Sequence, residues 1–128
     1  MTETEKTTRI TQVGTVIVPV SDQDRALEFY VGKLGFEKRL DGLFGEGQRW
    51  IEVAPPGAAT TIALVPREGL PTGTEVSFTT EDADADHAEL RARGVEADEA
   101  VMRMGDLVPP MFTFRDPDGN RFRMVERP

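Results

Sequence analysis

The chain has 128 residues, with 23 acidic side chains against 15 lysines and arginines, one histidine, no cysteine and a formal net charge of -8. The missing cysteine removes disulfides, thiolate zinc sites and cysteine nucleophiles together. The negative balance disfavours nucleic acid and anionic membrane surfaces, which both recruit clustered Lys and Arg, and no apolar run approaches the length of a membrane span.

The opening residues, MTETEKTTR, are polar and lack the apolar stretch of a signal peptide. Residues 1–9 are expected to fray, and residues 10–128 to form one cytoplasmic domain large enough to bury its own core. TVIVPVSD alternates as a strand, with Val16, Val18 and Val20 on one face and Thr15, Ile17 and Pro19 on the other. Ser21 and Asp22 then cap a helix whose apolar residues, Ala26, Leu27, Tyr30 and Leu34, recur at helical spacing until Gly35 stops it. GQRWIEVAPP and TTIALVP read as two further strands joined by the turn at Pro55, Pro56 and Gly57.

The order then repeats. EVSFTTED alternates as a strand, and DADADHAELRARG reads as a helix capped at Asp82 and closed by Gly94. Asp82 follows Asp22 by the same interval, within one residue, that separates Gly94 from Gly35. PDGNRFRMV near the end matches PPGAATTIALV at the end of the first half. Order, caps and stops agree, so the chain reads as an internal duplication of β-α-β-β-β modules spanning residues 10–66 and 74–126, hinged by PREGLPTG.

Each module buries the apolar face of its strands against its helix. That assigns Val16, Val18, Val20, Ile51, Val53, Ile62, Leu64, Val76, Phe78, Phe122 and Met124 to the core. The opposite faces carry a mixed set: Thr15, Ile17, Gln48, Trp50, Glu52, Thr61, Ala63, Val65, Glu75, Ser77, Thr79, Arg121, Arg123 and Val125. Two curved sheets presenting these faces to one another enclose a cleft for a small ligand. A solvated sheet face is the plain alternative, and Trp50 favours a contact surface, with a ligand or a second subunit.

VIVPVSDQDRALEFYVGKLGF and the terminal FRDPDGNRFRMVE resemble the vicinal oxygen chelate superfamily, which includes glyoxalase I, bleomycin-resistance proteins and extradiol dioxygenases. The resemblance covers about Ile10 to Glu126. It implies an α+β fold of two βαβββ modules forming a half-open mixed barrel, in a protein that is commonly a homodimer. It says less about activity, because one scaffold serves many chemistries. In the metalloenzymes of that superfamily, four side chains hold a divalent ion, and the corresponding positions here are Thr15, Ala63, Glu75 and Arg123. Alanine offers no donor, threonine a poor one, and arginine a fixed positive charge, so no metal and no other cofactor is expected.

In place of the metal, Arg123 is expected to pair with Glu75 as a partly buried ion pair, with Arg121 nearer the cleft mouth. Spare guanidinium donors then receive a carboxylate, phenolate or phosphate beside the flat wall of Trp50, and Thr15, Ile17, Ala63 and Ser77 complete the ligand-binding set. The net negative charge argues for a cationic ligand, so ligand charge stays open. Two alternatives stand beside this. One is an enzyme of the lyase or isomerase type, with Glu75 as general base or a rearranged metal shell using Glu75 and Glu52; a carboxylate beside a fixed cation is a weak base. The other is a dimerisation module with an empty cleft. A single histidine argues against the usual two-histidine dioxygenase site, and His87, on a helix beside Leu90, reads as structural more readily than as a ligand.

Overall fold

The computed structural model describes residues 9, 12–44, 47–68 and 75–127. The start expected to fray, apart from Arg9, and most of the expected hinge fall outside them. The first module runs β1 (Thr15–Val20), α1 (Gln23–Leu27), β2 (Glu37–Phe44), β3 (Gln48–Ala54) and β4 (Thr61–Pro66). The second runs β5 (Glu75–Thr80), α2 (Ala83–Ala92), β6 (Glu96–Ala97), β7 (Met111–Arg115) and β8 (Arg121–Glu126). The sheets have orders β1-β4-β3-β2 and β5-β8-β7-β6, the same pattern twice. In each, the first and last strands pair in parallel and the other neighbours run antiparallel. Among the described residues no helix is long and apolar enough to cross a membrane.

The duplicated caps do the same work. Asp22 accepts from Arg25 N and Asp82 from Ala85 N, both at 3.0 Å, satisfying a backbone donor that a helix start leaves open. Gly35 and Gly94 end the helical segments at φ 78° and 82°, a backbone region costly for side chains with a Cβ. The first helix departs from regularity: after Leu27 it widens into a π-helical segment, Glu28–Lys33, which buries both Phe29 and Tyr30.

One apolar cluster serves both modules, joining Val18, Val20, Ile51, Val53, Ile62 and Leu64 of the first sheet to Phe112, Phe114 and Phe122 of the second. Four residues expected in this core are only partly covered: Val16, Val76, Phe78 and Met124. The first three lie on the edge strands β1 and β5, and Phe78 and Met124 line an intermodule cavity. Conversely Thr61, Ala63 and Val125, expected on the mixed face, are buried. Thr61 and Ala63 sit on the inner strand β4, where Ala63 lies in register between Ile17 and Glu52, both larger than itself.

The turn RDPDGN joins the modules. Asp116, buried, accepts four hydrogen bonds: from Tyr30 OH and Asn120 Nδ2 at 2.8 Å each, and from the backbone N–H groups of Asp118 and Asn120 at 2.9 Å each. Asn120 also donates to the Pro19 carbonyl at 2.8 Å. Asp118 accepts from Ser21 N and faces Arg67 at 3.5 Å. Burial and the adjacent carboxylates hold the Tyr30 phenol neutral far above the usual tyrosine range.

Candidate functional site

The outer face of the first sheet carries a chain of polar contacts centred on Glu52. Trp50 and Glu52 are two residues apart on β3, so strand alternation puts them on one side. The indole Nε1 donates to Glu52 Oε2 at 2.7 Å, and Thr61 Oγ1 donates to Glu52 Oε1 at 2.9 Å. Thr61 and Thr15, cross-strand partners, share a hydrogen bond of 3.0 Å. Both oxygens of Glu52 are thereby engaged, and the indole ring is fixed in orientation.

Trp50 stands opposite Gly42 in the β2–β3 register, and the missing side chain leaves room beside the ring. One concavity, of about 510 Å³, lies against Gly42, Leu40 and Leu43. A second, of about 470 Å³, lies between Trp50, Gln23, Gln48, Val65 and Glu68. Both fall in the size range of small-molecule sites. Arg49 lines the second, but its guanidinium is committed: Nε and Nη2 grip Asp41 at 2.9 and 3.0 Å, and Nη1 reaches Asp24 at 2.8 Å. Those donors hold the Asp41 carboxyl down at about 2.

The outer face of the second sheet carries Glu75 and Ser77 on β5 opposite Arg121 and Arg123 on β8. The inferred ion pair is present, with Arg123 Nη2 donating to Glu75 Oε2 at 3.2 Å. The expected burial is corrected: the two side chains are 43% and 47% exposed, because both emerge from the open face of the sheet. A pair this wet contributes little to stability, so Arg123 is not spent on holding the fold. Among the described residues Arg121 has no ion-pair or side-chain hydrogen-bond partner.

The candidate residues therefore fall into two groups. Trp50, Thr15, Ile17 and Ala63 belong to the first face; Glu75, Ser77, Arg121 and Arg123 belong to the second. Ala63, being fully buried, floors the first face and offers no contact surface. Neither concavity at Trp50 is lined by Glu75, Arg121 or Arg123. Among the described residues no hydrogen bond or ion pair connects Thr15, Glu52 or Thr61 to Glu75, Arg121 or Arg123.

The four superfamily positions do not fit a divalent ion. Ala63 has no donor and is covered, and the Arg123 guanidinium lies on Glu75, the one carboxylate of the set. Among the described residues no group of three or more His, Asp or Glu converges as a metal site. His87 is tied to its surroundings: Nε2 donates to the Asp98 carbonyl at 2.7 Å, and the ring meets Phe112 edge to face at 5.0 Å.

Paired βαβββ modules, with each sheet packed on one face and polar on the other, define a duplicated scaffold that presents its candidate residues on the outer sheet faces. Residues 10–124 match the Glyoxalase/Bleomycin resistance protein/Dioxygenase superfamily, and the chain belongs to it. A member of that superfamily from Sphaerobacter thermophilus DSM 20745 is 37% identical, with a TM-score of 0.83 over 92% of this chain and 98% of that one. TnmS3, an antibiotic binding protein from Streptomyces sp. CB03234, is 36% identical, with a TM-score of 0.82 over 94% of this chain and 99% of its own. The uncharacterized protein YetH of Bacillus subtilis (strain 168) is 35% identical over 91% of this chain and 99% of its own.

Proposed function

We propose that this protein binds a small organic molecule without a metal, as a homodimer whose clefts are composite. The carrying observation is the fixed indole of Trp50, held by Glu52 beside ligand-sized concavities on an open sheet face. That face supplies a flat apolar wall, whereas the spare donors of Arg121 and Arg123 lie on the other sheet. A second copy brings the two together: the Trp50 face of one subunit closes against the arginine face of its partner. Ile17 and Leu40, each 49% exposed and in the same register row as Glu52, give that contact an apolar margin. The ligand is a planar molecule stacked on Trp50 with an anionic group forked by the guanidinium groups. The antibiotic-binding relative supports the class of ligand.

Trp50 is the only tryptophan, so its fluorescence reports the site directly. Light scattering should show a dimer, and planar aromatic carboxylates should quench Trp50 saturably in the presence of EDTA. A monomer that binds none of them, or binding that appears only with added zinc or nickel, sinks the reading.

A further inference from the structure

A third concavity lies away from the outer sheet faces, at the seam between the modules. It holds about 370 Å³ and is built from both halves of the chain: Phe36 and Pro56 from the first, Phe78, Leu90, Phe114 and Met124 from the second. It opens to solvent past the exposed Lys33, Glu89 and Arg93, and its volume falls in the range of small-molecule clefts.

Its floor is aromatic. Phe36 and Phe78 meet edge to face at 5.5 Å across the seam, and Phe78 stacks on Phe122 at 5.3 Å. Phe36, Phe78 and Met124 remain only partly covered by protein, so apolar surface faces the open space. The rim is charged. Arg93 is committed to Glu89 at 2.7 Å and to the Lys33 carbonyl at 2.9 Å. Lys33 itself has no ion-pair partner among the described residues, and Asp86 across the rim disfavours more than one negative group on an occupant.

We propose that this seam is a binding site for a compact aromatic monoanion, with its ring against Phe36, Phe78 and Met124 and its charge at Lys33. It is distinct from the Trp50 cleft and does not depend on it. An occupant would touch Met124, whose strand neighbour Arg123 points to the opposite face, so the two sites share strand β8.

The probe is 2-naphthoate, titrated into the full-length protein labelled with 13C-methyl methionine. Among the described methionines only Met124 lines the seam cavity. Its methyl signal should shift saturably and should still do so in Trp50→Phe and Arg123→Ala, which remove the outer site. Lys33→Glu on the exposed rim should weaken binding roughly tenfold, as should replacing the probe with neutral 2-naphthylmethanol. A Met124 signal that stays still at millimolar probe overturns the site. A shift that vanishes in Trp50→Phe assigns it to the outer cleft and overturns the site equally. Unchanged affinity in Lys33→Glu, or for the neutral probe, overturns the assignment of an anion.

Discussion

Tyr30, on the widened segment of the first helix, donates its buried hydroxyl to Asp116, 86 residues away in the turn before β8, at 2.8 Å. This contact locks the two modules at one relative position. It also fixes the ends of β1 and β8, since Asn120 beside Asp116 holds the Pro19 carbonyl. Both faces that carry candidate ligand contacts are therefore referenced to the same joint.

Tyr30→Phe leaves a buried carboxylate short of one donor. It should cost about 1–3 kcal/mol in urea unfolding. The sign of the pH dependence follows from linkage. The folded phenol stays protonated, whereas in the unfolded chain it ionises near pH ~10, so the unfolded state binds fewer protons above that pH. The Tyr30 contribution is complete below pH ~10 and falls by about 1.4 kcal/mol per pH unit above it. Tyr30 is the only tyrosine. Absorbance at 295 nm should show no phenolate until the protein unfolds, and the phenylalanine variant should lack this part of the alkaline loss.

Arg123→Ala removes a half-exposed ion pair and should change stability by no more than about 1 kcal/mol. If Arg123 serves the ligand, affinity should nevertheless drop by roughly 2–5 kcal/mol, from loss of a charge-assisted fork. A large loss of melting temperature with ligand affinity intact would instead make the residue structural.

Subunit mixing tests the composite cleft. In the proposed dimer, Arg123→Ala keeps Trp50 but places alanine opposite it. Adding excess Trp50→Phe subunits, which carry no tryptophan, should restore ligand quenching of the remaining Trp50, because the partner now supplies the arginine. Quenching that stays absent in mixed dimers would place both residues of each site on one chain.

Asp41 is gripped by Arg49 and Lys38, which favour its charged form. Its folded titration midpoint, at about 2, lies below the value near 3.9 of an unfolded aspartate. Its contribution to stability is therefore present above pH ~3.9 and is lost as pH falls through about 2. Carboxyl 13C titration should return that midpoint, and Arg49→Gln should move it up towards the ordinary range.

What the amino-acid order determined was local and periodic. Alternation placed β1, β3, β4, β5 and β8, Asp22 and Asp82 capped the helices as read, and Gly35 and Gly94 stopped the helical segments, because a cap or a left-handed turn involves residues a few positions apart. The resemblance to the superfamily, by putting Glu75 and Arg123 at two of its four metal positions, was what suggested that they pair. Trp50 and Glu52 fell on one face by strand period alone. Burial and cross-module contacts were decided by the tertiary structure. Ala63 alternates as an outward residue, yet its larger neighbours Ile17 and Glu52 cover it. Tyr30 reads as one more apolar residue on a helix stripe, and nothing near it in sequence announces that its hydroxyl meets Asp116. The separation of Trp50 from Arg123 is likewise set by how two sheets are oriented about a shared core, a relationship between distant segments that no local spacing encodes.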